Sequence, residues 1–219
     1  MLNNIFSNKL QKFGVVMPLL YWVIKNFKLF IFSACLSMLF SGCSSFYYLS
    51  DPFCAIPNYH IVDNRVHRGG FPKKTGFKVL KTHNRIKSIL SLRGFDDKSI
   101  AEHDFALKNN LSFFSIPLSV YKQPTENNVK QFLNIVLNPD NQPVFVHCTS
   151  GRDRTGAMIA LYRVVVYGWG PKEAYKEAKK LGFWPYKGKE ALKTFIHQLK
   201  DHPEYCTYAK ELINLYEKK

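Results

Sequence analysis

Cys148 and Arg154 bracket the stretch His147-Cys-Thr-Ser-Gly-Arg-Asp-Arg-Thr-Gly156, and a thiol paired with a guanidinium around a glycine is suited to moving a phosphoryl group. A thiolate is a strong nucleophile. A planar guanidinium grips two equatorial phosphate oxygens at once, which an ammonium cannot reproduce. Gly151 permits the positive φ that lets the chain curl between them, and Gly156 lets a following helix start close to its neighbours. An anion held in such a curl meets the backbone N–H groups of Thr149, Ser150, Gly151 and Arg152 together with the positive end of the helix. The same field favours Cys148 as thiolate. Thr155 is placed to hydrogen-bond the sulfur and help it leave, and His147 to order the loop rather than act as a base.

That chemistry requires a strand entering the loop and a helix leaving it. Pro143 to His147 is a short apolar run and Thr155 to Tyr167 has helical patterning, so both are expected. Upstream, Ile61, Val62 and Val66 form a β-like stretch ended by Gly69-Gly70 and Pro72. Further strands are expected at Ile86–Leu92 and Leu111–Ile116, and helices at Lys73–Asn84, Lys98–Asn109 and Pro124–Leu137. From Pro171 onward the patterning is helical only. Strands alternating with helical segments imply an α/β fold with a mostly parallel central sheet flanked by helices. Arg68, in Val-His-Arg-Gly-Gly, is expected to shape a loop rather than touch substrate.

The 219 residues suffice for one domain and a tail. Hydrophobic residues at 46% and charged residues at 21% exclude a disordered or collagen-like chain. Thirty-one Lys+Arg against 16 Asp+Glu give a net charge of +15, a surplus that draws polyanionic partners or serves solubility alone. No His or Asp cluster has metal-ligand spacing, so neither metal nor cofactor is expected.

The His-Cys-x5-Arg-Thr-Gly pattern resembles the signature of the cysteine-dependent protein tyrosine and dual-specificity phosphatases. Gly-Arg-Asp-Arg-Thr-Gly is similar to the loops of bacterial triple-specificity phosphatases and myotubularin lipid phosphatases. Ile135-Val-Leu-Asn-Pro-Asp-Asn-Gln-Pro143 is similar to the segment preceding the loop in fungal and plant atypical dual-specificity phosphatases, some of which act on inositol pyrophosphates. The resemblance covers roughly residues 61–183. It implies a protein tyrosine phosphatase-like fold and hydrolysis of phosphomonoesters through a phosphocysteine. Substrates would be phosphotyrosine or phosphoserine proteins, phosphoinositides or inositol phosphates, and not nucleic acid. Arg152 would meet extra phosphates.

Many relatives carry a general-acid Asp on a separate loop upstream of the cysteine. Here Pro117–Thr125 has no carboxylate, and the nearest is Glu126. By resemblance to families with Asp immediately before the loop arginine, Asp153 is the first candidate. Asp96 and Asp97 are the second, with capping of the next helix as their other reading. Lys187 and Lys189 are candidates for a second phosphate or simply a solvated loop.

Residues 1–43 carry Lys9, Lys12, Lys25 and Lys28 but no Asp or Glu, then an apolar-to-small run from Leu29 to Phe40. The run is too short to cross a bilayer and fits an export signal. Phe40-Ser41-Gly42-Cys43 resembles the bacterial lipoprotein box, which implies lipidation of Cys43, a tether over 44–57, a phosphatase domain over 58–219 and a lipid-anchored place in the cell envelope, facing periplasm or exterior. Met17 is an alternative start, and Val15–Phe40 as one uncleaved helix is the competing reading. Cys54 and Cys206 are free to form a disulfide in such a compartment. Two other functions stay open: an inactive phosphate-binding module and a rhodanese-like sulfurtransferase.

Overall fold

The computed structural model describes residues 55–218 apart from 83, 84, 95, 187 and 189. The export leader, Cys43, most of the expected tether, the Cys54–Cys206 pairing, Lys187 and Lys189 therefore lie outside the described residues in whole or in part. Among the described residues, no helix is long and apolar enough to cross a membrane.

The chain alternates strand and helix: β1 His60–Ile61, β2 Val66–Gly70, α1 Lys74–Thr82, β3 Ser88–Ser91, α2 Asp97–Lys108, β4 Ser112–Ser115, α3 Glu126–Leu137, β5 Val144–Cys148 and α4 Asp153–Tyr167. Three helices follow, α5 Pro171–Lys180, α6 Ala191–Gln198 and α7 Pro203–Glu217. The sheet order is β1-β2-β5-β3-β4, with only β1 antiparallel to its neighbour. The expected mostly parallel α/β sheet is thus present. Its strands are shorter than the apolar runs suggested, because β3 and β4 pair over only four residues each.

Alternation along β5 decides which layer each side chain feeds. Val144 and Val146 enter the larger core beneath α3 to α7, whereas Phe145 faces the opposite core with Phe77 and Leu80 of α1 and Ala106 of α2. Helix α4 is apolar on nearly every side, as a helix sandwiched between a sheet and other helices must be. Fully buried side chains such as Phe132 and Leu133 each contribute about 1.5–3 kcal/mol to holding α3 against it.

Local chemistry sets the helix ends. Asp96 and Ser99 form a capping box at the start of α2, as Thr125 and Asn128 do for α3. Gly168 ends α4 in the left-handed conformation at φ 69°. Helix α4 begins at Asp153, two residues before the patterned stretch from Thr155, since the loop arginine already lies in helical backbone.

Candidate active site

β5 is the central strand, and Cys148 is its last residue. Gly69 and Gly70 of β2 run beside His147 and Cys148 in register. The loop after Cys148 folds onto this glycine pair. A Cβ on Gly151, at φ 70°, would sit 2.3 Å from the carbonyl carbon of Gly69, and a Cβ on Gly70 would lie 2.9 Å from that of Ser150. Only glycines allow the two backbones this close. The Phe71 amide donates to the Thr149 carbonyl at 3.1 Å, joining loop and strand end.

The Gly151 carbonyl is turned inward, away from the mouth. It accepts from Arg68 Nη2 at 2.6 Å and from Asn58 Nδ2 at 2.8 Å. Arg68, at 1% exposure, therefore has the expected loop-shaping contact. His147 is fully buried behind the cysteine, stacked on Phe145 with ring centroids 5.4 Å apart. Its Nε2 lies 2.8 Å from Oε1 of the equally buried Glu102, at ion-pair distance though without hydrogen-bond alignment. Its Nδ1 lies 3.2 Å from the Cys148 carbonyl oxygen.

Arg154 folds back across the loop. Nη2 donates to Thr149 Oγ1 at 2.9 Å, and Nη1 donates to the carbonyls of Leu92 at 3.2 Å and Leu118 at 3.4 Å. The guanidinium is thus fixed by the end of β3, the segment after β4 and the loop itself. Cys148 is 2% exposed at the floor. Arg152 is exposed at the start of α4, with its side chain lying over Gly182. Ser150 is half-buried between them.

Asp153 opens α4 and accepts from the Trp184 amide through Oδ1 at 3.0 Å. It lines a small cleft with Val120, Phe183, Trp184, Pro185 and Leu192. The carboxylate-free loop Pro117–Thr125 and the segment after α5 thus meet at Asp153, which places it with the loop residues. Asp96 is committed elsewhere. The Ser99 amide bonds its carboxylate, and with the Arg93 guanidinium holds it below the usual carboxylate range. Its capping reading holds, and a carboxyl kept ionised is a poor proton donor. Asp97 is exposed in the first turn of α2, and Glu126 pairs with Lys130 at 2.7 Å.

One expectation needs correction. Thr155 is fully buried, but its hydroxyl makes no hydrogen bond to any described residue, so the expected bond to the Cys148 sulfur is not formed. Facing the first turn of the helix inward buried the side chain without aligning it on the thiol.

Sequence reasoning did not find Asn58, Glu102, the Gly69-Gly70 seat or the carbonyls of Leu92 and Leu118. Glu102 carried a signal: it shares a helical face with Ser99 and Ala106, both buried, and a carboxylate on a buried face needs a partner.

The match to a family model decides the kinship. Residues 55–193 fit the model described as "DSP-PTPase phosphatase fused to NAD+ Kinase". The chain belongs to this phosphatase family. It is 31% identical over 112 residues to the inositol diphosphatase DSP4 of Arabidopsis thaliana, covering 49% of this chain and 56% of the relative. It is 28% identical over 132 residues to the inositol diphosphatase SIW14 of Saccharomyces cerevisiae, covering 58% and 46%. The chain thus spans about half the length of the curated relatives it matches. Among solved structures, the Siw14 catalytic core superimposes with a TM-score of 0.59 at 26% identity, over 72% of this chain and 94% of that core.

Proposed function

We propose that this phosphatase hydrolyses phosphomonoesters without a metal, through a phosphocysteine, and that its substrates are inositol phosphates or their lipid forms. The observation that carries the reading is the placement of Cys148 at the floor of a loop whose arginine is fixed across the mouth by three acceptors. Cys148 Sγ attacks phosphorus in line, forming the S–P bond as the ester P–O bond breaks. Arg154 and the amides of Thr149, Ser150, Gly151 and Arg152 take up charge on the equatorial oxygens. Asp153 protonates the leaving oxygen, then returns as base to the water that splits the intermediate. The inositol class is favoured by the inositol diphosphatase relatives, by the exposed Arg152 at the loop and by the net charge of +15.

The test is phosphate release, with chelator present, from inositol polyphosphates, phosphoinositides and phosphotyrosine peptides. Faster turnover of the peptides would overturn the inositol assignment. In the same assay Asp153→Asn is expected to slow alkyl esters by about 10²–10⁴-fold, as loss of a positioned proton donor does, and an activated aryl phosphate much less. Equal rates for wild type and variant on alkyl esters would remove Asp153 from the acid role.

For the chain's location, the reading is a lipid anchor on Cys43, holding the domain at the bacterial envelope membrane, outside the cytoplasm. It is supported by the lysine-bearing, acid-free leader and the Ser-Gly-Cys ending. Expressed in bacteria with labelled fatty acid, the full chain is expected to take up label and Cys43→Ala to take up none; label retained in that variant would refute the anchor.

A further inference from the structure

Between the start of α1 and the first turns of α2 lies a cavity of about 660 Å³, within the roughly 300–1,000 Å³ that small-molecule sites occupy. None of the loop residues 148–154 lines it, so it is separate from the site described above. Its walls are aromatic. Phe71, Phe77 and Phe105 meet there, with ring centroids 5.6 Å apart for the first pair and 4.9 Å for the second. Phe77 is buried, whereas Phe71 and Phe105 are only partly covered. Glu102 is the one carboxylate among the described lining residues, and its side chain is fully buried with Oε1 2.8 Å from His147 Nε2. Its charge therefore belongs to the pair behind Cys148 and not to the opening.

The rim is basic. Lys73, Lys74 and Lys98 line the cavity, all three are exposed, and none lies within ion-pair distance of a carboxylate among the described residues. The neighbouring acids are placed otherwise: Asp96 is held by Arg93 and the Ser99 amide, and Asp97 does not line the cavity. Lys73 and Lys74 stand at the start of α1, whose first turn has no acidic residue, and cations at the positive end of a helix cost stability rather than add it. Solubility is served by lysines anywhere on the surface and does not require them to converge. Three ammonium groups around an aromatic floor complement an apolar chain that ends in an anion. One contact joins this cavity to the loop: the Phe71 amide donates to the Thr149 carbonyl at 3.1 Å, and the Phe71 ring lies edge-on to His147 with centroids 5.9 Å apart.

We propose that the α1–α2 cavity binds a single-chain anionic amphiphile, with the chain on Phe71, Phe77 and Phe105 and the head, a carboxylate or phosphate, held by Lys73, Lys74 and Lys98. The occupant is the free molecule rather than a bilayer, because the three rings line a cavity and are not among the strongly exposed apolar side chains that would insert into a membrane. The probe is dodecanoate, titrated calorimetrically below its micellar concentration into the full chain, with inorganic phosphate present to fill the loop. No turnover is read, so the outcome is independent of the phosphatase mechanism. Dodecanoate is expected to bind, and dodecanol, which has the same chain without the charge, to bind about tenfold more weakly, the loss expected when charge-assisted hydrogen bonds are removed. Lys73→Glu combined with Lys98→Glu is expected to weaken dodecanoate by about tenfold or more and to leave dodecanol unchanged. Ala101→Trp, which fills the cavity from an exposed position on α2, is expected to weaken both. If Ala101→Trp does not fold, the charge variant decides alone, since both of its positions are exposed. No binding of dodecanoate to the wild type, or unchanged affinity in either folded variant, overturns the proposal. Binding to anionic phospholipid vesicles without binding of dodecanoate would overturn it too, by making the lysines a membrane contact.

Discussion

Cys148→Ser is expected to remove phosphate release from every substrate, aryl phosphates included, while leaving the melting temperature within a few degrees of wild type. A serine hydroxyl fits the same small space at the end of β5, where Cys148 is 2% exposed, so packing is conserved. Its proton, however, is held far more tightly than a thiol's, and no described group is placed to take it: His147 is buried behind the strand and engaged with Glu102. The attack therefore has no nucleophile. Anion binding should survive, since the loop amides and Arg154 are untouched, and the variant should retain a phosphorylated ligand that wild type consumes. Measurable turnover in purified Cys148→Ser would end the phosphocysteine mechanism. Binding without turnover in the wild type would instead establish a phosphate-binding module.

Arg154→Lys is expected to cost about 10²–10³ in kcat, comparable with removing a preorganised donor from a transition-state site. Charge is conserved in this change, so the loss measures geometry. The guanidinium reaches Thr149, Leu92 and Leu118 simultaneously, and a single ammonium cannot hold those three acceptors and still present two parallel donors to phosphate. KM should rise less than kcat falls, because the equatorial oxygens gain charge only as the phosphoryl group transfers. A variant with kcat within threefold of wild type would show that the arginine serves the fold of the mouth rather than the reaction.

The loop was legible because its information is local. The cysteine, the arginine and the glycine with φ 70° all lie within a few residues, and the strand before and helix after carry their own periodicities. What was not legible depends on which strands become neighbours. Gly69-Gly70 reads as the end of a strand until β2 is paired with β5, and then it is the floor on which the loop rests. The acceptors of Arg154 are main-chain carbonyls, which any residue supplies and no sequence marks. Thr155 shows the opposite error: its position fitted a bond to sulfur, but the orientation of a buried hydroxyl is set by packing around α4, which spacing alone does not contain.

The contact between Arg154 and the Leu118 carbonyl makes the loop arginine a clasp for Pro117–Thr125. Any exchange of that loop, by recombination between relatives or by grafting to widen the mouth for a bulkier substrate, also moves one of the three points that aim the guanidinium. On the proposed mechanism, the shape of the mouth and the aim of the guanidinium are therefore mechanically coupled. A redesign for a new substrate would keep the backbone through Leu118 and place its changes between Val120 and Gln123, beyond the clasp.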